Sequence, residues 1–426
     1  MARSAREQQQ LEEHNEQLSS FLRQKKENDT SGCKRHSSAP PQQRQYRAAS
    51  SAVVLSDEQK YPFQDHNLNL PHRRRERPNA AQRVDSAAAL VGTKPAAVIT
   101  TPSLTADRGS SSGTLSFPKP KFSAAVKLVE EDGVSTLVSK ATGRRWMTVT
   151  SSRKCQFGEV LRAVELSGNS TGPMSYFAIK ELSMEKLREM EGRTHEDPLR
   201  EVAALQYLSR EGHPNILTCT EALRDKNNIY IVTPFYGGGE IFDVVADQGR
   251  FDEDEVRLLF RQVLDGLLHL KAHGVCHRDV SLENLMFDEG NVVKLVDFGL
   301  ALRIPQTADG SARVIPPQGV CGKEYYMSPE VLTSSGGFDG FAVDVWACGV
   351  LLFILLTGVP PFELAVPSLD QRCQIVAVEE RLPELLSAWE MPLSPEVTEL
   401  IQSCLLFAPD RRPSLETLRN HPWINA

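Results

Sequence analysis

From Trp146 onward the apolar residues recur with two distinct periods. WMTVT, FGEVLRAVEL and YFAIKEL alternate apolar and polar positions as half-buried strands do, while PLREVAALQYLSR carries the repeat of a helix. IYIVTPF predicts another strand. After GGGE (237–240) the period turns helical, as in VRLLFRQVLDGLLHLKAH, where Leu258, Val263, Leu267 and Leu270 recur on one face. Strands first and helices afterwards predict an α+β chain, a β lobe followed by a mainly α lobe. Further upstream, AAVKLV and VSTLV flank Glu-Asp-Gly, whose last two residues suit a tight turn, so a hairpin or linker is expected over 122–142.

The pattern thins toward the start. Residues 1–121 are rich in Ser, Gln, Ala, Pro and Arg, with too little apolar surface to offset the entropy of ordering, and predict a disordered low-complexity region. Within it Leu11, Leu18 and Leu22 place a short isolated helix at 7–27, too brief for a coiled coil. HRRRERP at 72–78 reads either as a solvated basic stretch or as a patch for nuclear localisation or an acidic partner. The first residues hold no apolar segment, so no secretory leader is expected. The apolar run 345–362 ends in Pro-Pro and is short for a membrane span, which predicts a buried core helix and no membrane association.

Charge divides the chain in the same place. Residues 1–140 hold 21 Lys and Arg against 15 Asp and Glu, a charge of +6; the remaining 27 against 40 give −13. An acidic globular part argues against nucleic acid and suits a cationic peptide. The eight cysteines are scattered without a metal-ligand spacing, as expected of reduced thiols in a cytoplasmic or nuclear protein.

FGEV, AIK, a glutamate on the next helix, HRD with an asparagine five residues on, DFG, SPE and DVWACG follow one another between about Gly143 and Trp423. Each is weak alone. In series they make the chain resemble the eukaryotic protein kinase family, Ser/Thr type, nearest to the calmodulin-dependent kinase group, a leaning that LLTGVPPF and NHPWI support. The resemblance implies a two-lobed protein kinase fold over 143–424. Its small lobe would be mainly antiparallel β with one key helix, its larger lobe mainly α. It implies ATP and Mg²⁺ as cofactors and protein substrates, and a monomer is expected, with the oligomeric state left open by the sequence.

Phosphoryl transfer asks a protein to hold phosphates, metal and acceptor hydroxyl in line and to neutralise developing charge. By resemblance Lys180 grips the α and β phosphates, with Gly158, Val160, Ala178, Thr233, Tyr236 and Met286 around the nucleotide. Glu201 is the expected partner of Lys180 because Val202, Leu205 and Leu208 pack the helix under it; Glu191 and Glu196 lie in the polar stretch before that stripe. Asp279 would accept or orient the hydroxyl proton, and the hard oxygens of Asn284 and Asp297 suit Mg²⁺. His277 and Phe298 become packing residues in a column with Leu205. Glu330 is expected to pair with Arg412, and Asp344 to accept backbone hydrogen bonds near His277 and Arg278. Pro234, after Thr233, removes one hinge donor, so adenine must rely on groups around Tyr236.

Three departures from the family pattern bear on activity. Arg153 and Cys155 stand where the glycine-rich loop would have its first two glycines, and only Gly158 remains. That predicts either a stiffer or more open lid, with Arg153 or Lys154 supplying charge, or a plain surface hairpin. Ser281 replaces the usual lysine two residues after the catalytic aspartate, while Lys323 stands where a threonine is usual; the expectation is that Lys323 restores the missing charge, against the alternative that it points to solvent. Arg278 beside Asp279 suggests neutralisation by an activation-loop phosphate at Thr307 or Ser311. Glu240 and Glu283 resemble acidic positions that meet substrate arginines, although either could be a solvated charge and Glu240 a ribose contact. The few residues after Trp423 leave no room for a calmodulin-binding tail, so regulation is expected from the N-terminal region or elsewhere. The rival to an active kinase is a pseudokinase serving as a nucleotide-binding or scaffold module.

Overall fold

The computed structural model describes residues 114–426 apart from 130–133, 150–152, 167–174, 193, 306–313, 317, 319–320 and 334–336. The helix expected at 7–27, the basic stretch at 72–78, Thr307 and Ser311 lie outside the described residues.

The small lobe is one sheet built from β1 (Ser123–Val129), β2 (Ser135–Ser139), β3 (Arg145–Thr148), β4 (Arg153–Cys155), β5 (Gly158–Glu165), β6 (Tyr176–Ser183), β7 (Glu221–Arg224) and β8 (Asn228–Pro234). Its order is β3-β2-β1-β7-β8-β6-β5-β4, and β3 pairs a second time, with β5. The sheet therefore closes on itself. Every pairing is antiparallel except β1 with β7. The segments AAVKLV and VSTLV pair antiparallel, Lys127 opposite Leu137, and this hairpin is what joins the two ends of the sheet. Trp146, fully buried, fills the enclosed space with Leu137, Phe177, Ile179, Leu223 and Val232. Closure leaves fewer backbone edges open to other chains.

The opposite face of the same strands looks into the cleft. Val160 pairs with Lys180 and Lys180 with Ile231, while Ala178 pairs with Thr233, so these side chains share a face. After α1 (Met184–Met190), that face is met by α2 (Pro198–Leu208). Asp197 starts α2 by accepting the Leu199 and Arg200 N–H groups, and Pro198 sits in its first turn, where no N–H is missed. Val202, Leu205 and Leu208 are the buried stripe that draws α2 against the sheet.

The larger lobe follows β9 (Gly239–Glu240) and is helical: α3 (Ile241–Gln248), α4 (Glu253–Ala272), α5 (Pro329–Thr333), α6 (Gly340–Thr357) and shorter helices to the end. Asp252 and Glu255 form a reciprocal capping box at the start of α4. Its buried face runs through Val256, Leu259, Phe260, Val263, Leu267 and Leu270. Leu258, expected on that face, is only half-buried, because five residues of helix place it about 140° away from Val263. The 345–362 run forms most of α6, which is long and apolar enough to cross a membrane but is 94% buried inside the lobe. The larger lobe also holds β10 (Val275–Cys276), β11 (Leu285–Phe287), β12 (Val293–Leu295) and β13 (Leu302–Arg303), in a β10-β13 pair and a β12-β11-β9 sheet.

The α+β, two-lobed architecture is as the sequence predicts. Leu115 and Phe117, which the sequence places in the disordered region, find partners far along the chain at Arg303 and Tyr207.

Candidate active site

The cleft between the lobes is built first by an ion pair. Lys180 Nζ donates to both carboxylate oxygens of Glu201, at 2.9 and 2.7 Å. β6 aims Lys180 downward and α2 brings Glu201 under it, whereas Glu191 and Glu196 fall before the helix. Burial opposes the Lys180 charge, but Glu201 and Asp297 together raise its pKa above the ordinary lysine value. Burial pushes Glu201 upward and Lys180 only partly offsets it.

The lid over this pair is a tight hairpin, Cys155 opposite Gly158, with Gln156 and Phe157 at its turn. Phe157 is buried and its carbonyl accepts from Ser183 N–H at 3.0 Å, so the hairpin is drawn down onto the lobe rather than open. The glycine at 158 is required by the sheet itself: a Cβ there would lie 1.8 Å from the Glu181 carbonyl oxygen. Arg153 does supply charge, but to a protein carboxylate, since its guanidinium pairs with Glu240 across the cleft.

The floor is the loop from His277 to Asn284. His277 and Arg278 donate their backbone N–H groups to Asp344 at 2.8 and 2.7 Å, which pins the loop to α6. Burial lowers the His277 pKa below the ordinary histidine value. Its Nε2–H donates to the Val296 carbonyl at 3.1 Å, leaving Nδ1 to accept from Asp279 N–H at 3.3 Å, and its ring meets Phe298 edge-on. Leu205, fully buried on α2, belongs to the same core as Phe298. Asp279 accepts from Asn284 Nδ2 on both its backbone carbonyl and its Oδ2, each at 2.7 Å, while its buried Oδ1 has no protein partner.

Asp297, in a left-handed backbone conformation at φ 63°, accepts from Gly299 N–H at 3.1 Å through Oδ1. Burial works against its charge, but Lys180, the Gly299 N–H and His277 hold its pKa below the usual carboxylate value. Asn284 spends its amide nitrogen on Asp279, so its carbonyl oxygen is left for another ligand. An ionised carboxylate and an amide oxygen are hard donors that fit Mg²⁺, an ion that takes few protein ligands and completes its shell with phosphate oxygens and water. Asn284 and Asp297 are the residues that would hold it, and Mg²⁺ there would neutralise phosphate charge.

Lys323 turns inward. Its Nζ donates to Ser281 Oγ at 2.8 Å and to Asp279 Oδ2 at 3.2 Å, with Glu283 at 3.9 Å. Gly322 before it has φ 101°, a conformation that suits glycine and lets the segment turn at this point. Arg278, also left-handed at φ 67°, is largely committed: it donates to the Leu300 carbonyl at 3.3 Å and to Cys321 Sγ at 2.8 Å, and its guanidinium lies 5.3 Å from the Phe338 ring centre. Beyond the cleft, Arg412 grips Glu330 with two hydrogen bonds, at 2.7 and 2.8 Å, and also donates to the carbonyls of Ala342, Leu406 and Phe407.

At the hinge Thr233 is buried beside Ala178. Phe235 N–H donates to Tyr176 and Gly238 N–H to Phe287. Met286 pairs with Glu240 across β11 and β9, bringing the larger lobe's strand up beneath the hinge. The structure thus gathers Lys180, Glu201 and Asp297 in one charged cluster, and Asp279, Asn284 and Lys323 in another. Sequence reasoning missed Cys321 as a partner of Arg278 and the Arg153 contact with Glu240; both join residues remote in sequence, and no local pattern announces them.

Comparison with known proteins gives the same reading. The model of the protein kinase domain matches residues 154–424. The CBL-interacting serine/threonine-protein kinase 24 of Arabidopsis thaliana is 39% identical over 213 residues, 50% of this chain and 44% of that protein. The CBL-interacting protein kinase 21 of Oryza sativa subsp. japonica is 35% identical over 254 residues, 58% and 44% of the two chains. The CBL-interacting protein kinase 1 of the same organism is 33% identical over 270 residues, 63% and 53%. The chain thus spans about half the length of these curated relatives. The family match runs from the lid hairpin through both lobes to the final helix, and this chain belongs to the protein kinase family.

Proposed function

We propose that the protein is a serine/threonine kinase that transfers the γ-phosphoryl group of ATP, with Mg²⁺, to hydroxyls of protein substrates in basic sequence contexts. The observation that carries this reading is the charge sharing around Lys180, which faces Glu201 and Asp297 at once and so couples the strand lysine, the helix and the metal-binding segment. Lys180 holds phosphate oxygens, Asp279 orients the acceptor hydroxyl and takes its proton, and Asn284 and Asp297 hold the metal. Lys323 brings to the catalytic loop the positive charge that Ser281 lacks. Val160, Ala178, Thr233 and Met286 enclose adenine, and the Tyr236 main chain meets it, since the neighbouring hinge donors are engaged. The serine/threonine preference is carried over from the relatives' names.

The basic context rests on Glu240 and Glu283. Arg153 holds Glu240, so an incoming peptide arginine must displace an internal one there. The test is phosphate incorporation by the purified full chain with Mg-ATP and a mixed basic Ser/Thr peptide, alongside Asp279→Asn. Incorporation abolished by that substitution supports the proposal. Nucleotide binding without any transfer would overturn it in favour of a scaffold.

A further inference from the structure

The residues just before β1, outside the span that matches the kinase family, cross the back of α2. At one end Leu115 bridges Arg303 antiparallel, its N–H donating to the Arg303 carbonyl at 2.9 Å. Arg303 returns a hydrogen bond from Nη1 to the Ser116 carbonyl at 2.8 Å. Arg303 belongs to β13, the strand that follows Asp297-Phe298-Gly299. At the other end Ser123 and Ala124 begin the β1 pairing with Leu223 and Arg224, which helps to close the barrel.

Between these anchors two neighbouring side chains of α2 are held. The Gln206 amide works as a clamp on Lys121, accepting from its N–H at 2.9 Å and donating to its carbonyl at 2.6 Å. The Phe117 ring meets Tyr207 edge-on at 5.9 Å. The Arg303 guanidinium lies 4.7 Å from the Tyr207 ring centre, and the Tyr207 hydroxyl donates to the His273 carbonyl at the end of α4 at 3.4 Å. Tyr207 therefore joins four segments: the incoming chain, α2, α4 and the strand after Asp297. Glu201 sits less than two turns earlier on the same helix, 2.7 Å from Lys180. A helix of this length moves as a rigid rod, so whatever fixes Gln206 and Tyr207 fixes Glu201 as well.

We propose that residues 115–122 are a positioning strap for α2: they keep Glu201 against Lys180 by tying the helix both to the strand after Asp297 and to the barrel. Phe117, Gln206 and Tyr207 are positioning residues that act on phosphate through the Lys180–Glu201 pair. The effect on turnover rests on the kinase reading above; the effect on α2 does not. Anything that draws residues 115–122 away loosens α2, which makes the strap a point where the N-terminal region controls the cleft.

The experiment uses the full chain carrying Phe117→Ala with Gln206→Leu, and Phe117→Tyr as the conservative variant. Amide hydrogen exchange of 198–208 is expected to quicken about tenfold in the double variant, with exchange in β5, β6 and β8 unchanged. In the phosphorylation assay kcat is expected to fall about tenfold while the peptide KM holds, and Phe117→Tyr to behave as wild type. Exchange of α2 unchanged in the double variant would overturn the strap, as would exchange quickened uniformly through the chain, the mark of a general loss of stability. If the wild-type chain transfers no phosphate at all, the kinase reading fails on its own and the exchange result still decides the strap.

Discussion

Lys323 Nζ lies 2.8 Å from the Ser281 hydroxyl, although 42 residues separate them in the chain. The same ammonium reaches Asp279 at 3.2 Å, so the catalytic loop holds a cation that it does not itself encode. A cation at a phosphoryl-transfer centre stabilises charge most where water is excluded. Lys323→Thr is expected to lower kcat about a hundredfold with little change in ATP affinity. Adding Ser281→Lys to it should recover a substantial part of the loss. Steady-state kinetics on both variants check this, and full turnover in the single variant would refute it.

The pairing of Arg412 with Glu330 makes a stability prediction. The Arg412 side chain is fully buried and Glu330 nearly so. Glu330→Ala leaves that guanidinium without its counter-charge and should destabilise the larger lobe by about 3–5 kcal/mol. Arg412→Leu should cost at least as much, because three backbone carbonyls lose a donor as well. Denaturant unfolding of each variant and of the pair gives the coupling directly, and purely additive losses would show that the two side chains do not act together.

Arg153 and Glu240 bear on substrate choice. Arg153 is 47% exposed, so the contact is worth at most about 1 kcal/mol. Arg153→Ala should raise kcat/KM for arginine-bearing peptides over alanine-substituted ones by roughly two- to fivefold. A peptide array that ranks the two classes alike before and after the change would remove Glu240 from substrate recognition.

Acid should expose the dependence of Asp297 on Lys180. The Asp297 pKa is depressed in the folded state, so its contribution to stability is present above the unfolded carboxyl value and is lost as pH falls through the folded one. Lys180→Met removes the ammonium that offsets burial at Asp297 and at Glu201, whose carboxyl is already raised. The variant's deficit should be large at neutral pH and shrink on acidification, as both carboxyls take up protons. Denaturant midpoints of wild type and variant from pH 7 to pH 4 test the sign; a deficit that grew toward acid would be the wrong way round.

Much of the site can be read from the chain because its parts lie on locally specified elements. Asp197 followed by Pro198 starts α2, the stripe Val202, Leu205 and Leu208 orients it, and Glu201 then has one direction to face. Alternation in YFAIKEL aims Lys180 to the side shared with Ala178. What alternation does not reveal is which strands become neighbours. The hairpin at 123–139 shows in its turn residues, but its closing of the sheet depends on β1 meeting β7 and β2 meeting β3. Leu258 shows the other weakness, since an apolar residue beside a buried face is indistinguishable in composition from one on it.

Sequence alone determined the element types, the lobe order and the identity of the groups that line the cleft, because periodicity, capping and turn chemistry act over a few residues. Tertiary structure decided which charges meet: Lys323 with Ser281, Arg153 with Glu240, and Arg303 with Ser116 across 187 residues. Contacts of that range appear only when long loops close and a buried surface fixes the approach, and no local stretch of chain carries that information.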